Sequence, residues 1–430
     1  MPSACTQPVG CHEVRCIPLS YNHADSQASA LRLVLTVNPH WKDAQGRIEF
    51  VRFTDGITNT LLKITLRAPG LSEEEIDKEA VLMRAYGNNS EIIIDRERET
   101  KSHALLASRG LAPPLLARFS NGLLYRFIRG QVASPDDLTN PAIWRGVARR
   151  LGQWHAALPI SDVPSDALNL GSGDGDTLSL ASSDSESKPV QESTSAADDI
   201  IPISTRLEGP NLWATLQKWI LALPKSTEQE RTRRKNLQKE YERIVAEFDD
   251  GSGLGEEGMV FAHCDLLSAN VIIQPRPKES TLPEGSAETV DFIDYEYATP
   301  SPAAFDLANH FAEWAGYDCD YSRLPTRSVR RKFIEEYVDS FSQHSVLPES
   351  KKAAVDNLFA DVDRYRGLPG FYWGVWALIQ ATISRIDFDY ASYAEERLGE
   401  YWAWRNEQDS SRSKAGEKKP LREQRWAQEA

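Results

Sequence analysis

The sequence predicts an α+β fold in two lobes, a small antiparallel sheet followed by a larger, mainly helical body, and three observations predict it. Up to Gly130 short apolar runs alternate with turn residues, the texture of sheet strands. Beyond Gly130 the spacing becomes helical, with Trp144, Val147, Leu151 and Trp154 on one face of Pro141 to Leu158. The chain has 430 residues, 41% of them hydrophobic and 26% charged, enough for two or three lobes with a buried core.

Element by element, residues 1–25 read as a flexible leader, and Ala28 to Val37 as a short amphipathic helix. Ile48 to Phe53 is a strand that ends at the turn-prone Asp55-Gly56. Leu61 to Leu66, Ala80 to Tyr86 and Ile92 to Ile94 are further strands. Arg96 to Arg109 is a helix that Gly110 stops. Leu115 to Phe119 and Leu123 to Phe127 form a hairpin across Asn121-Gly122, the strongest turn signal in the chain. Leu212 to Leu223 and Glu228 to Phe248 are helices, the second heavily charged and expected to be exposed. The tail from Glu407 has six basic and five acidic residues without an apolar pattern, and is expected to be frayed.

Composition excludes several function classes. The net charge of −14 argues against a nucleic-acid partner, since phosphate backbones need a basic face. Residues 161–199 hold nine acidic residues and one lysine. This tract supplies −8 of the −14 and buries too little apolar surface to offset chain entropy, so a disordered acidic insertion is expected over 161–205, with a phosphorylated regulatory loop as the alternative. No run approaches the length of a membrane span, and residues 1–16 lack the pattern of a secretory signal. Five cysteines, odd in number and sparse, fit a reducing cytosol. Cys11, His12 and Cys16 lack a second ligand pair at finger-like spacing. A cytoplasmic enzyme without an integral membrane segment is the expectation.

The chemistry concentrates in Met259 to Gln274. An apolar run leads into His263-Cys264-Asp265, four residues precede Asn270, and Val271-Ile272-Ile273 resumes a strand. Twenty-four residues separate Asp265 from a second apolar run, Val290 to Ile293, which delivers Asp294. Two strands thereby bring Asp265, Asn270 and Asp294 to one cleft. Phosphoryl transfer needs such a set: a carboxylate for the attacking hydroxyl's proton, and oxygen ligands for magnesium on ATP. The plain alternative is a loop whose side chains only satisfy backbone donors. His263 is expected to brace the loop rather than carry protons.

These blocks resemble the choline and ethanolamine kinases, a family with a protein-kinase-like two-lobe fold. The resemblance rests on Phe53-Thr-Asp-Gly-Ile-Thr-Asn-Thr60, His263-Cys-Asp-Leu-Leu-Ser-Ala-Asn270, Phe292-Ile-Asp-Tyr-Glu-Tyr297, Phe305-Asp-Leu-Ala-Asn-His-Phe-Ala-Glu-Trp314 and Trp373-Gly-Val-Trp376. It spans residues 45–405, and the phrasing of the glycine loop and of Ile293 to Ala298 is similar to the ethanolamine kinase branch. It implies residues 26–130 as a nucleotide-binding lobe, 131–405 as a catalytic and substrate lobe, and 406–430 as a flexible tail. It further implies that Asp55, Gly56, Thr58 and Asn59 approach the ATP phosphates, and that Arg84, paired with Glu99, holds them. Phe127 and Ile128 would be the hinge against adenine, and Asp306 a support beneath the catalytic loop. Asp265 would be catalytic, with Asn270 and Asp294 as magnesium ligands. Tyr297, Glu313, Trp373, Trp376, Phe388 and Tyr393 would form the acceptor site, aromatic faces attracting an ammonium group. On the residues alone such an aromatic stripe is more often a packed core.

The implied cofactors are ATP and Mg2+, and the implied acceptor is ethanolamine, with choline as runner-up. A primary ammonium has three donors and a quaternary one has none, and the acceptor set offers both an acid and aromatic faces. An aminoglycoside-type phosphotransferase shares the H-x-D-x-x-x-x-N logic but has no call for paired tryptophans near its end. The oligomeric state is open, a homodimer included.

Overall fold

The computed structural model describes residues 14–53, 59–87, 94–163, 200–276, 283, 285–384 and 386–430. Its first layer is a six-stranded sheet in the order β1-β5-β6-β4-β3-β2, made of β1 (Cys16–Ile17), β2 (Arg47–Phe53), β3 (Thr60–Arg67), β4 (Val81–Ala85), β5 (Leu115–Phe119) and β6 (Gly122–Arg126). Only β1, which runs parallel to β5, departs from antiparallel pairing. Helix α1 (Ser26–Val37) covers one face, where Leu33 and Val34 join Ile64, Met83 and Leu124 in a first apolar core. Pairing of Arg84 with Leu61 on one side and Leu123 on the other fixes the register of the central strand.

Two helices lie between these strands. The first, α2 (Glu73–Glu79), was not apparent from apolar spacing, although Ser72 and Glu75 form a reciprocal capping box at its start. The second, α3 (Arg96–Ser108), starts at Asp95, whose side chain accepts from the amides of Glu97 and Arg98. Of the strand expected at Ile92 to Ile94, only Ile94 is described, and it is not in a strand.

The hairpin forms, but with Ser120 and Asn121 as its loop and Gly122 already in the strand. Asn121 serves the leader instead: its Nδ2 donates to the Tyr21 carbonyl at 3.0 Å and its Oδ1 accepts from the Tyr21 amide at 2.9 Å. A Cβ at position 122 would stand 2.1 Å from the Arg84 carbonyl oxygen, so glycine is there for close approach. Residues 14–25 are accordingly no loose leader, with Ile17 and Tyr21 buried.

After β7 (Gln131–Val132) come α4 (Pro135–Leu138), α5 (Pro141–Ala157), α6 (Leu212–Ala222) and α7 (Glu228–Phe248). The charged α7 is not all exposed, because Leu237, Tyr241, Ile244 and Phe248 face the interior. Short strands follow: β8 (Val260–Ala262), β9 (Val271–Ile273), β10 (Val290–Phe292) and β11 (Thr299–Ser301). They pair as β10-β9-β7 and β11-β8. Helices α8 (Ala303–Glu313), α9 (Arg327–His344), α10 (Lys351–Tyr365), α11 (Leu368–Ile383) and α12 (Tyr390–Gln408) complete a second, larger core. Most of the expected insertion lies outside the described residues.

The chain ends in α13 (Ser411–Lys414) and α14 (Leu421–Ala427), a correction to the frayed tail. Trp426 is buried, and its Nε1 donates to Asp363 at 2.7 Å while the Arg330 guanidinium lies 3.9 Å over its ring. Glu423 pairs with Arg366 at 2.9 Å. One aromatic side chain and buried ion pairs hold this segment, a combination without apolar periodicity.

Candidate active site

The loop between β8 and β9 carries His263, Asp265 and Asn270. Antiparallel pairing of β9 with β10 brings the loop after β10 alongside it: the Ile293 amide donates to the Asn270 carbonyl at 3.0 Å. His263 ties the same junction, its Nε2 donating to the Ile293 carbonyl at 3.0 Å and its Nδ1 accepting from the Asp265 amide at 3.3 Å. A carbonyl only accepts and an amide N–H only donates, so this geometry fixes a neutral tautomer. Burial lowers the imidazole's pKa in the same sense. His263 is a brace, as expected.

Asn270 supports Asp265 directly, with Nδ2 donating to the Asp265 carbonyl at 2.8 Å and to its Oδ2 at 3.2 Å. The Asn270 side-chain oxygen is therefore turned away, with no hydrogen bond among the described residues. Burial, then the negative charges of Asp294, Glu313 and Glu296, push the Asp265 carboxyl well above the usual range. Asp294 and Cys264 both adopt left-handed backbone, at φ 66° and 60°, a conformation costly for residues with a Cβ and concentrated at functional loops.

Helix α8 lies beneath the loop and holds it at three points. Asp306 accepts from the Cys264 amide at 2.7 Å, the His263 amide at 3.1 Å and His155 Nε2 at 3.0 Å. Burial opposes its ionisation, but His155 and these amides outweigh burial and hold its carboxyl below the usual range. Asn309 Nδ2 donates to the Cys264 carbonyl at 3.0 Å, and His310 Nδ1 donates to the Leu266 carbonyl at 2.7 Å. Asp306 matches its expected place. Sequence reading missed Asn309 and His310, although both fall in the same helical block at spacings of three and four.

Across the cleft Arg84 is almost fully buried and pairs with three carboxylates: Glu99 at 3.2 Å, Asp294 at 2.7 Å, and Glu296. Arg96 shares two of them, meeting Glu99 at 2.9 Å and Glu296 at 3.2 Å. The expected Arg84–Glu99 pair is therefore part of a five-residue network. Glu296 and Arg96 went unnoticed, the first because the spacing of two after Asp294 is uninformative in a loop. Asp55, Gly56 and Thr58 lie outside the described residues. Asn59 is described, and its Oδ1 accepts from the Gly87 amide at 3.4 Å.

At the expected hinge the Phe127 amide donates to the Ala80 carbonyl at 3.0 Å. The Phe127 ring lies parallel to Phe53, 6.5 Å between centroids, with the Lys63 ammonium 3.9 Å over it. A cavity of about 500 Å³ opens here, lined by Phe127, Lys63, Gly130, Gln131 and Gln274 among others. Ile128 is half-buried and does not line it.

The aromatic residues form one continuous wall. Tyr297 meets Trp373 at 5.6 Å, Trp373 meets Trp376 at 5.5 Å, and Trp376 meets Tyr390 at 5.7 Å. Phe388 touches both Tyr390 and Tyr393, and Tyr317 closes the row against Phe388 and Tyr393. Phe388 and Tyr317 are exposed at its rim. Sequence reading missed Tyr390 and Tyr317. Trp376 Nε1 donates to the Tyr297 hydroxyl and Trp373 Nε1 to Asn309, each at 2.8 Å. Glu313 lies behind this wall: its Oε1 accepts from buried Arg397 at 3.1 Å. Burial still raises the Glu313 pKa.

A family model described as Choline/ethanolamine kinase matches residues 50–402. Over 418 residues the chain is 30% identical to Ethanolamine kinase 1 of Mus musculus, covering 93% of this chain and 96% of that one. It is 31% identical over 386 residues to Ethanolamine kinase 1 of Homo sapiens, covering 88% and 72%. In fold it is similar to the Plasmodium vivax ethanolamine kinase, with a TM-score of 0.58 at 22% identity over 87% of this chain and 88% of that one. The Cryptosporidium parvum choline kinase gives 0.55 at 20% identity, covering 88% and 97%.

Proposed function

Because the chain belongs to the choline/ethanolamine kinase family, we propose that it is an ATP-dependent ethanolamine kinase. It transfers the γ-phosphoryl group of ATP to the ethanolamine hydroxyl, giving phosphoethanolamine and ADP, the first step of the CDP-ethanolamine route to phosphatidylethanolamine. The observation that carries the reading is the stitching of the Asp265–Asn270 loop to the Ile293–Asp294 turn, beside an aromatic wall suited to an ammonium group. Residues 26–130 act as the nucleotide lobe and 131–405 as the catalytic lobe. No described helix is long and apolar enough to cross a membrane, and the reaction is assigned to the cytoplasm.

Asp265 orients the hydroxyl and takes up its proton as the new O–P bond forms. Magnesium, when bound with the nucleotide, supplies positive charge against the transferring phosphoryl group. Asn270 and Asp294 would hold it, and they fit: both offer oxygen, the Asn270 side-chain oxygen has no partner among the described residues, and the Asp294 side chain is 31% exposed. Among the described residues no group of three or more His, Cys, Asp or Glu forms a cage. Two protein oxygens with phosphates and waters are the usual magnesium arrangement. Arg84 meets the phosphates from a guanidinium already pinned by Glu99 and Glu296, so phosphate competes for it with Asp294.

On the acceptor side Trp373, Trp376, Tyr297, Phe388 and Tyr393 face the ammonium group. Glu313 contributes negative potential from behind Arg397. The curated relatives named above favour ethanolamine, and the aromatic wall keeps choline as a slower second acceptor. The test is a paired assay of the purified protein with magnesium-ATP and either amino alcohol as sole acceptor. Ethanolamine is expected to turn over faster, and turnover with neither would overturn the reading. Asp265→Asn should lower kcat by roughly 10³-fold or more while the KM for ATP stays nearly constant.

A further inference from the structure

We infer that Asn309 is a positioning residue that couples the wall of the acceptor pocket to the catalytic loop, an inference that rests on the proposed kinase activity. Its carboxamide is fully buried and bridges two groups, the Trp373 indole and the Cys264 carbonyl. Trp373 Nε1 donates to Oδ1 at 2.8 Å, and Nδ2 donates to the Cys264 carbonyl at 3.0 Å. An indole N–H only donates and a carbonyl only accepts, so the orientation of the amide is fixed by chemistry.

The carbonyl that Asn309 holds belongs to the peptide joining Cys264 to Asp265. Cys264 sits at φ 60°, a conformation that costs an ordinary residue roughly 1 to 2 kcal/mol and persists only when its surroundings hold it. Its amide is held by Asp306 and its carbonyl by Asn309, three residues apart on one face of α8. Release of the carbonyl frees the peptide to rotate, and Asp265 swings with it.

The other end of the bridge is a pocket wall. Trp373 packs edge-on against Tyr297 and Trp376. An acceptor seated on that wall restrains the indole, the indole restrains the Asn309 oxygen, and the amide nitrogen restrains the peptide before Asp265. Trp376 is the internal contrast. It stands on the same wall, but its N–H goes to the Tyr297 hydroxyl and not to a group beneath the loop.

The experiment measures kcat and both KM values for Trp373→Phe, Trp376→Phe, Asn309→Leu and the Trp373→Phe/Asn309→Leu double variant. Phenylalanine keeps an aromatic face but removes the indole N–H and part of the ring area; the area loss is common to the Trp373 and Trp376 variants, so the difference between them reads the N–H partner. Trp373→Phe should lower kcat about tenfold and change the KM for ethanolamine less than about twofold, the loss of one buried hydrogen bond read in the transition state. Trp376→Phe should do the reverse, raising KM with little change in kcat. Asn309→Leu should lower kcat about a hundredfold, as a misplaced catalytic group does, with the KM for ATP unchanged. The double variant should be no worse than Asn309→Leu, since the bridge is already cut. Additive losses, or a Trp373→Phe effect confined to KM, in an active protein would overturn the coupling alone. Should Asn309→Leu not fold, the contrast between the two phenylalanine variants decides. A wild-type protein without turnover on ethanolamine or choline would overturn the proposed function and the coupling with it.

Discussion

At the scale of single residues the chain spends its buried acids in two different ways. Asp306 is an acceptor for three donors and nothing else: its two oxygens take the amides of His263 and Cys264 and the ring of His155. Asp265 has one bonded oxygen and a raised pKa, the state of a group available for chemistry. Asp306→Asn distinguishes the roles. The amide turns two hydrogens toward groups that themselves donate, so the variant should lose about 3 kcal/mol of stability. A shifted loop should also lower kcat by roughly 100-fold. Thermal unfolding and initial rates check this, and an Asn variant with both properties intact would remove Asp306 as the anchor. The Asp265, Asn270 and Asp294 pattern was legible because loop acids between strands recur at fixed spacing. Arg397, which commits Glu313, was not, because a partner 84 residues away leaves no mark on local pattern.

Among elements, legibility followed the kind of force that holds each one. Strands β3 to β6 and helices α5 and α6 announce themselves through apolar periodicity and turn residues, and α3 through helix-forming residues that Gly110 stops. Helix α2, with only Ile76 buried among its residues, is held by its capping box and by ion pairs of Asp77 with Lys63, Glu73 with Arg67 and Glu79 with Arg126, and α14 by contacts that periodicity cannot register. The tail helix gives a direct prediction. Trp426 packs on Phe311 at 6.4 Å, under the Arg330 guanidinium and bonded to Asp363. Trp426→Ala removes all three and should cost about 3 to 5 kcal/mol. The same contacts rest on α8 at Phe311, but none reaches the loop, so turnover measured well below the melting temperature should stay near wild type. A melting temperature within about one degree of wild type would mean that α14 contributes little.

For the whole molecule, two apolar cores with a cleft between them set what acid does to stability, because the groups buried near that cleft titrate in opposite senses. Burial holds His310 down to about 4 and His103 likewise to about 4, each with a ring N–H donated to a carbonyl. Such an imidazole is neutral in the folded chain. Above the unfolded value, near 6.5, neither state binds the proton and nothing is lost. As pH falls from there toward 4 only the unfolded chain binds it, and stability declines. Glu296, pushed up to about 7 mainly by burial, works the other way: below that value the folded chain binds a proton that the unfolded chain releases until lower pH. Net stability is therefore a poor readout, and a difference is a good one. His310→Gln keeps an amide donor for the Leu266 carbonyl and removes the titration. Between pH 7 and pH 5 the wild type should lose about 2 kcal/mol relative to this variant, read as the change in the gap between their urea midpoints. A gap that stays constant across that range would mean His310 is protonated in the folded protein, which its hydrogen bond from the Trp314 indole at 3.1 Å forbids, since that ring nitrogen must be free of a proton to accept it.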